Sequence, residues 1–152
     1  MTLEAILAYI HILAILSMVV FISSEAAICR TEWMNARVVE RLVRVDLIYG
    51  IAAVLVLLSG LARTYWGFKG GGWYWTNWLL HLKLGMFVVV ALMSIKPTLM
   101  YRRWRRELAA TGALPSDAQI RDARKWVMIQ AHIIAIIPIA AVFLARGFGA
   151  KS

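Results

Sequence analysis

Four ionisable side chains lie within strongly apolar stretches of this sequence, and their types suit ligand binding or proton transfer: His11, His81, Lys83 and His132. If those stretches cross a membrane, each such group costs a few kcal/mol unless it faces the protein interior or is paired. Imidazole is also a common ligand of haem iron and copper and titrates near neutral pH. These four residues are therefore the first candidates for chemistry.

The first histidine belongs to a regular stripe. Glu4, His11, Met18 and Glu25 are spaced by seven residues, which keeps them close to one face of an α-helix. A charged and polar stripe on an apolar helix is stable in a membrane only when it faces other helices. We therefore expect this face to point into a helical bundle.

Depth along the helices predicts which of the candidates meet. Counted from the predicted outer ends at ~1.5 Å per residue, His11 lies ~12 Å deep, Lys83 ~8 Å and Gly60 ~9 Å. His132 lies ~21 Å deep, close to the level of Met18 at ~23 Å. The spacing predicts one layer with His11, Gly60 and Lys83, and a deeper layer with His132.

His81 and Lys83 cannot both face the interior. Two positions correspond to about 200° around an α-helix. Lys83 is the deeper of the two and pays more for facing lipid, whereas Trp75 and Trp78 mark a headgroup boundary that can stabilise His81. We expect Lys83 to point inward and leave the direction of His81 open.

Imidazoles inside a helical bundle, with glycines nearby and no thiolates, favour haem b. His11 and His132 are the candidate iron ligands, and Gly60 provides clearance for a flat macrocycle or, equally, for close helix packing. His81 is a further candidate cofactor contact. The single Cys29 excludes a disulfide scaffold and a thiolate cluster.

Two other chemistries remain open on the residues alone. One is copper held by His and Met, although the seven methionines form no tight cluster. The other is a proton path through Glu25, Asp46 and His132. In its simplest alternative, the two carboxylates only cap helices or pair with loop arginines.

The elements that position these residues are four apolar segments, in a chain that is 62% hydrophobic with a mean hydropathy of +0.72. Each is long enough to cross a hydrocarbon core of ~30 Å. They predict an all-α, four-helix membrane bundle forming a single domain over residues 1–152, with bilayer lipid as its first partner. The segments are residues 3–28, 47–66, 78–95 and 126–145.

Basic residues predict the orientation. The loop between the first two segments holds four of them and the loop between the last two holds eight, together 12 of 17. The opposite side has only Arg63, Lys69, Arg146 and Lys151. By the positive-inside rule both termini lie outside and the basic loops lie in the cytoplasm. We expect a multi-pass protein of a bacterial inner membrane with a retained first span, and no nucleic-acid partner.

Local signals extend the last two helices beyond the membrane. Ser116 and Gln119 have the spacing of a capping box, and Gly112 suits a helix end. The two helices should therefore form a cytoplasmic hairpin, with a kink at Pro97. The aromatic run at residues 65–78 predicts an interfacial belt.

The sequence also resembles a known family. Trp78-Leu79-Leu80-His81-Leu82-Lys83-Leu84 is similar to the third-span motif of HemJ-type protoporphyrinogen oxidases. Residues 8–12, around His11, and residues 40–61 resemble that family's first two spans, so the likeness covers roughly residues 1–105. The wider group includes copper-resistance D-type membrane domains and small four-span bacterial proteins of unassigned function.

The resemblance implies a haem-b-binding bundle in which His11 is an axial ligand and Lys83, the candidate catalytic residue, is an essential partner near the porphyrin. We therefore expect a redox or electron-transfer role towards a quinone or a porphyrin, in a chain that can also form a homo-oligomer. The alternative is a non-catalytic copper-handling or structural membrane protein in which the histidines only pack and form hydrogen bonds.

Overall fold

A computed structural model describes residues 2–67 and 70–148, and within these ranges the chain is helical, without a strand. Four long helices and two short ones follow one another. They are α1 (Thr2–Ile28), a 3-10 turn (Thr31–Trp33), α2 (Ala36–Trp66), α3 (Gly71–Thr76), α4 (Trp78–Thr111) and α5 (Asp117–Ala145).

The four long helices form an up-and-down bundle. α1 packs mainly on α2 and α4 mainly on α5, and the two hairpins join through α2 with α4 and α1 with α5. Each long helix is long and apolar enough to cross a membrane. The predicted all-α membrane bundle is thus confirmed, while the inner membrane and the outward termini stay predictions.

Helix ends follow the local signals. The Ser116 side chain accepts from the Gln119 amide and the Gln119 side chain accepts from the Ser116 amide, which is the predicted capping box. Gly112 ends α4 with φ of +71°, a conformation that glycine adopts at little cost. Pro97 lies inside α4, which continues helically past it to Thr111.

The best-packed part of the protein lies at the loop end of the bundle, where the α1–α2 and α4–α5 connections are. Tyr101 and Trp104 of α4 are at most 1% exposed and pack edge to face, with ring centroids 5.4 Å apart. Cys29 and Ile120 belong to the same core. Large apolar side chains elsewhere are mostly exposed on the bundle surface, as lipid-facing residues are.

The orientation can be tested with introduced cysteines. Gly72→Cys lies at the α3 end and Ala113→Cys in the loop between α4 and α5, and both positions are exposed. We expect a membrane-impermeant maleimide added outside intact cells to label Gly72→Cys only. The native Cys29 gives little background, because it is fully buried and burial raises its pKa to about 11.

Labelling of Ala113→Cys alone would mean that the orientation in the membrane is the opposite of the predicted one. Two of the four basic residues predicted outside, Lys69 and Lys151, lie outside the described residues.

Candidate functional site

The buried stripe of α1 is confirmed. His11, Met18 and Glu25 are 9%, 4% and 1% exposed, and Glu4 is half-buried. A single helix face thus carries an imidazole in one half of the bundle and a carboxyl group in the other. About 21 Å separates them along the helix, at ~1.5 Å per residue.

A hydrogen bond to Ser59 of α2 holds the His11 ring in place. His11 Nδ1 lies 2.8 Å from the hydroxyl oxygen of Ser59. The same hydroxyl lies 2.6 Å from the Leu55 carbonyl and 3.3 Å from the Val56 carbonyl, and the Val56 carbonyl also accepts from the His11 ring. When the hydroxyl donates to the Leu55 carbonyl, it accepts from Nδ1–H, and the lone pair of the neutral ring then lies on Nε2.

Gly60 provides the room that the His11 ring occupies. A Cβ atom added at Gly60 would lie 3.2 Å from His11 Cε1, closer than an ordinary van der Waals contact, and 3.8 Å from Nδ1. The clearance predicted at this glycine therefore serves the imidazole itself, and Gly60 positions His11 together with Ser59.

Two cations lie within electrostatic range of the His11 ring, Lys83 of α4 and Arg63 of α2. Both are half-buried, and they also act on each other. The ion pairs of the described residues are Lys96 with Asp122 and Arg103 with Glu107, so neither cation has a carboxylate within 4.0 Å. His11, Arg63 and Lys83 define a cationic layer that lacks a described counter-ion.

The structure does not bring the other two histidines to this layer. His132 is exposed on α5 and its Nδ1 donates to the Met128 carbonyl at 2.6 Å. That helix face looks out of the bundle and an intrahelical carbonyl satisfies the ring, so the structure does not place His132 beside His11 as a second iron ligand. His81 is also exposed, and its Nε2 lies 2.9 Å from the Trp75 carbonyl.

A second polar cluster lies towards the loop end. Tyr101 donates to Glu25 Oε2 at 3.4 Å, and Thr98 donates to Asp46 Oδ1 at 2.8 Å. Beside them the Tyr49 hydroxyl donates to Gln130 Oε1 at 3.4 Å. All four long helices contribute to this inner polar cluster, defined as Glu25, Asp46, Tyr49, Thr98, Tyr101 and Gln130.

Sequence reasoning missed Ser59, Arg63, Tyr101 and Gln130. A usable signal existed for Ser59, a lone hydroxyl in an apolar run directly before a glycine, because such residues often bind across helices in membranes. The other three look like ordinary boundary residues until the helices are brought together.

Gly60→Val tests the positioning of His11. The added side chain must displace the ring or α1, so we expect a loss of about 1–3 kcal/mol in unfolding free energy, measured by denaturation in detergent. Gly50→Val is the matched control on the same helix, because an added Cβ there meets nothing within 4 Å. Equal losses of unfolding free energy at both positions would contradict the close approach of Gly60 to the His11 ring.

Comparison with known proteins gives one family. A family model described as "Predicted membrane protein (DUF2214)" matches residues 3–149. No curated protein and no solved structure matches the chain.

Proposed function

This chain belongs to the DUF2214 family of predicted membrane proteins, and we propose that it binds haem b through His11 and transfers electrons to or from a quinone or a porphyrin. The observation that carries the proposal is the orientation of His11. The ring is buried against Ser59, and in the tautomer that donates its Nδ1 proton to that hydroxyl, Nε2 has the lone pair that an iron ligand needs.

The cationic layer supports the same ligand. Lys83 and Arg63 are half-buried positive charges without a described carboxylate partner, which favours an anionic group beside His11. Haem b carries two propionates, so the two cations would hold these while the imidazole holds the iron. When bound, haem supplies one-electron redox chemistry.

The other histidines bear on the coordination. His81 and His132 are exposed and bonded to backbone carbonyls, so the described arrangement supplies one imidazole. The described residues therefore fit a haem held by one histidine, His11, better than the predicted haem held by both His11 and His132. The described residues contain no group of three or more His, Cys, Asp or Glu that could hold a metal ion.

A titration separates iron ligation from charge recognition. Purified protein in detergent is titrated with haem and with haem dimethyl ester, which has the same iron but no carboxylates. We expect saturable binding of one haem per chain with a shifted Soret band, and weaker binding of the ester. Non-saturable partitioning equal to that of empty micelles would overturn the proposal.

Lys83→Met is expected to reduce the preference for haem over its dimethyl ester. The substitution keeps much of the side-chain length but removes the charge beside His11. Lys83→Arg should restore the preference only in part, because a planar guanidinium replaces a compact ammonium in a confined space. The measurement is the ratio of the two dissociation constants.

Lys96→Met is the matched control. Lys96 also lies on α4, but it pairs with Asp122 at 2.8 Å and with the Trp126 ring, away from the cationic layer. A preference that falls equally in Lys83→Met and Lys96→Met would mean that general charge, rather than Lys83, attracts haem.

A further inference from the structure

The inner polar cluster contains a carboxyl group that is almost completely buried. Glu25 is 1% exposed, and its Oε1 atom has no hydrogen-bond partner among the described residues. Oε2 receives one long hydrogen bond, from Tyr101. An ionised carboxylate normally needs several donors or a cation when it is buried, and this one has neither.

The groups around Glu25 add no positive charge. The titratable groups that interact with it are Asp46 and Tyr49 of α2, Tyr101 of α4 and Cys29 after α1. From α5 the cluster receives the uncharged Gln130, while Arg124 acts on Cys29. Within the described residues no lysine or arginine forms an ion pair with Glu25 or Asp46, so the pairing with loop arginines considered from the sequence is absent there.

Asp46 differs from Glu25 in two respects. Thr98 donates a short hydrogen bond to it, and Arg102 lies within electrostatic range. It is also 8% exposed rather than 1%. Two neighbouring carboxyl groups in a low dielectric do not both ionise, and these contacts favour the charge on Asp46 and the proton on Glu25.

We propose that Glu25 is a proton-binding site inside the bundle and that Asp46 passes protons between it and the loop end. Glu25 gives its proton to the ionised Asp46, Asp46 releases it to the aqueous phase at the loop end, and the same two steps in reverse reload Glu25, so no other reactant is required. Glu25 and Asp46 also belong to the proton path considered from the sequence. His132, the third residue of that path, is left out because it is exposed on the bundle surface. The proposed proton transfer does not depend on haem.

Infrared spectroscopy of the protein in lipid vesicles at neutral pH tests the site. We expect the carbonyl stretching band of a protonated carboxylic acid, assigned to glutamate by its shift on ¹³C-glutamate labelling. Glu25→Gln should remove that band. Glu4→Gln, a matched change on the same helix face, should leave it intact. Tyr101→Phe should shift it by removing the hydrogen bond to Oε2.

Transfer into D₂O tests the relay. The Glu25 band should shift as its proton exchanges, and Asp46→Asn should slow that shift several-fold without removing the band. Exchange at the wild-type rate in Asp46→Asn would overturn the relay. A wild-type spectrum with no protonated glutamate would overturn the site, as would a band that survives Glu25→Gln. A band that appears only after Na⁺ and K⁺ are removed would also overturn it, by making a metal cation the occupant.

Discussion

His11→Ala is expected to abolish stable haem binding while leaving membrane insertion intact. Removing a group that only supports a ligand costs about 10–100-fold in affinity, so removing the ligand itself should cost more than about 100-fold. The variant leaves the Ser59 hydroxyl with a hydrogen-bond acceptor, because it can donate to the Leu55 carbonyl. The measurement is the haem titration of the purified variant.

Three related variants test whether the loss of haem affinity is specific to His11. His81→Ala and His132→Ala remove exposed imidazoles bonded to carbonyls and should bind haem as the wild type does. Ser59→Ala keeps the ligand but loses the hydrogen bond that orients it, which predicts a loss of about 10–100-fold. Wild-type affinity in His11→Ala, or a loss in His132→Ala as large as in His11→Ala, would contradict the assignment.

Trp104→Ala is expected to cost about 3–5 kcal/mol in unfolding free energy, the largest stability effect of any single change considered. The indole is 1% exposed and packs against Tyr101, and it belongs to the core that contains Cys29 and Ile120. Its removal leaves a cavity in the core cluster to which all four long helices contribute. Reversible denaturation of the detergent-solubilised protein measures the change.

Trp33→Ala is the control for that measurement. Trp33 is 55% exposed in the 3-10 turn, so its replacement should change stability by less than about 0.5 kcal/mol, apart from its contact with the Arg30 guanidinium. Similar losses for Trp33→Ala and Trp104→Ala would mean that tryptophan content, rather than burial, determines stability.

Periodicity and capping were sufficient to predict the fold. Apolar runs long enough for a bilayer have few alternatives to helices, because every backbone polar group must be satisfied within the segment. The stripe through His11 and Glu25 could also be predicted, because seven residues are nearly two helical turns and keep both side chains on one helix face. Ser116 and Gly112 marked helix ends through their own side-chain and backbone chemistry.

The site was less predictable, because depth along a helix does not define direction around it. His132 lies at a plausible level but on the outer face, and its bond to the Met128 carbonyl satisfies it without any partner helix. Ser59 and Tyr101 gain their roles only when helices distant in sequence come together, 48 and 76 residues from His11 and Glu25 respectively. No local pattern specifies such pairs.

The most direct measurement of the haem proposal is the reduced-minus-oxidised absorption spectrum of the wild-type protein purified from haem-replete cells, with His11→Ala prepared alongside. We expect Soret and α bands of b-type haem in the wild type at about one haem per chain, and their loss in His11→Ala. A folded but colourless wild-type protein, or equal haem content in both preparations, would contradict haem ligation by His11.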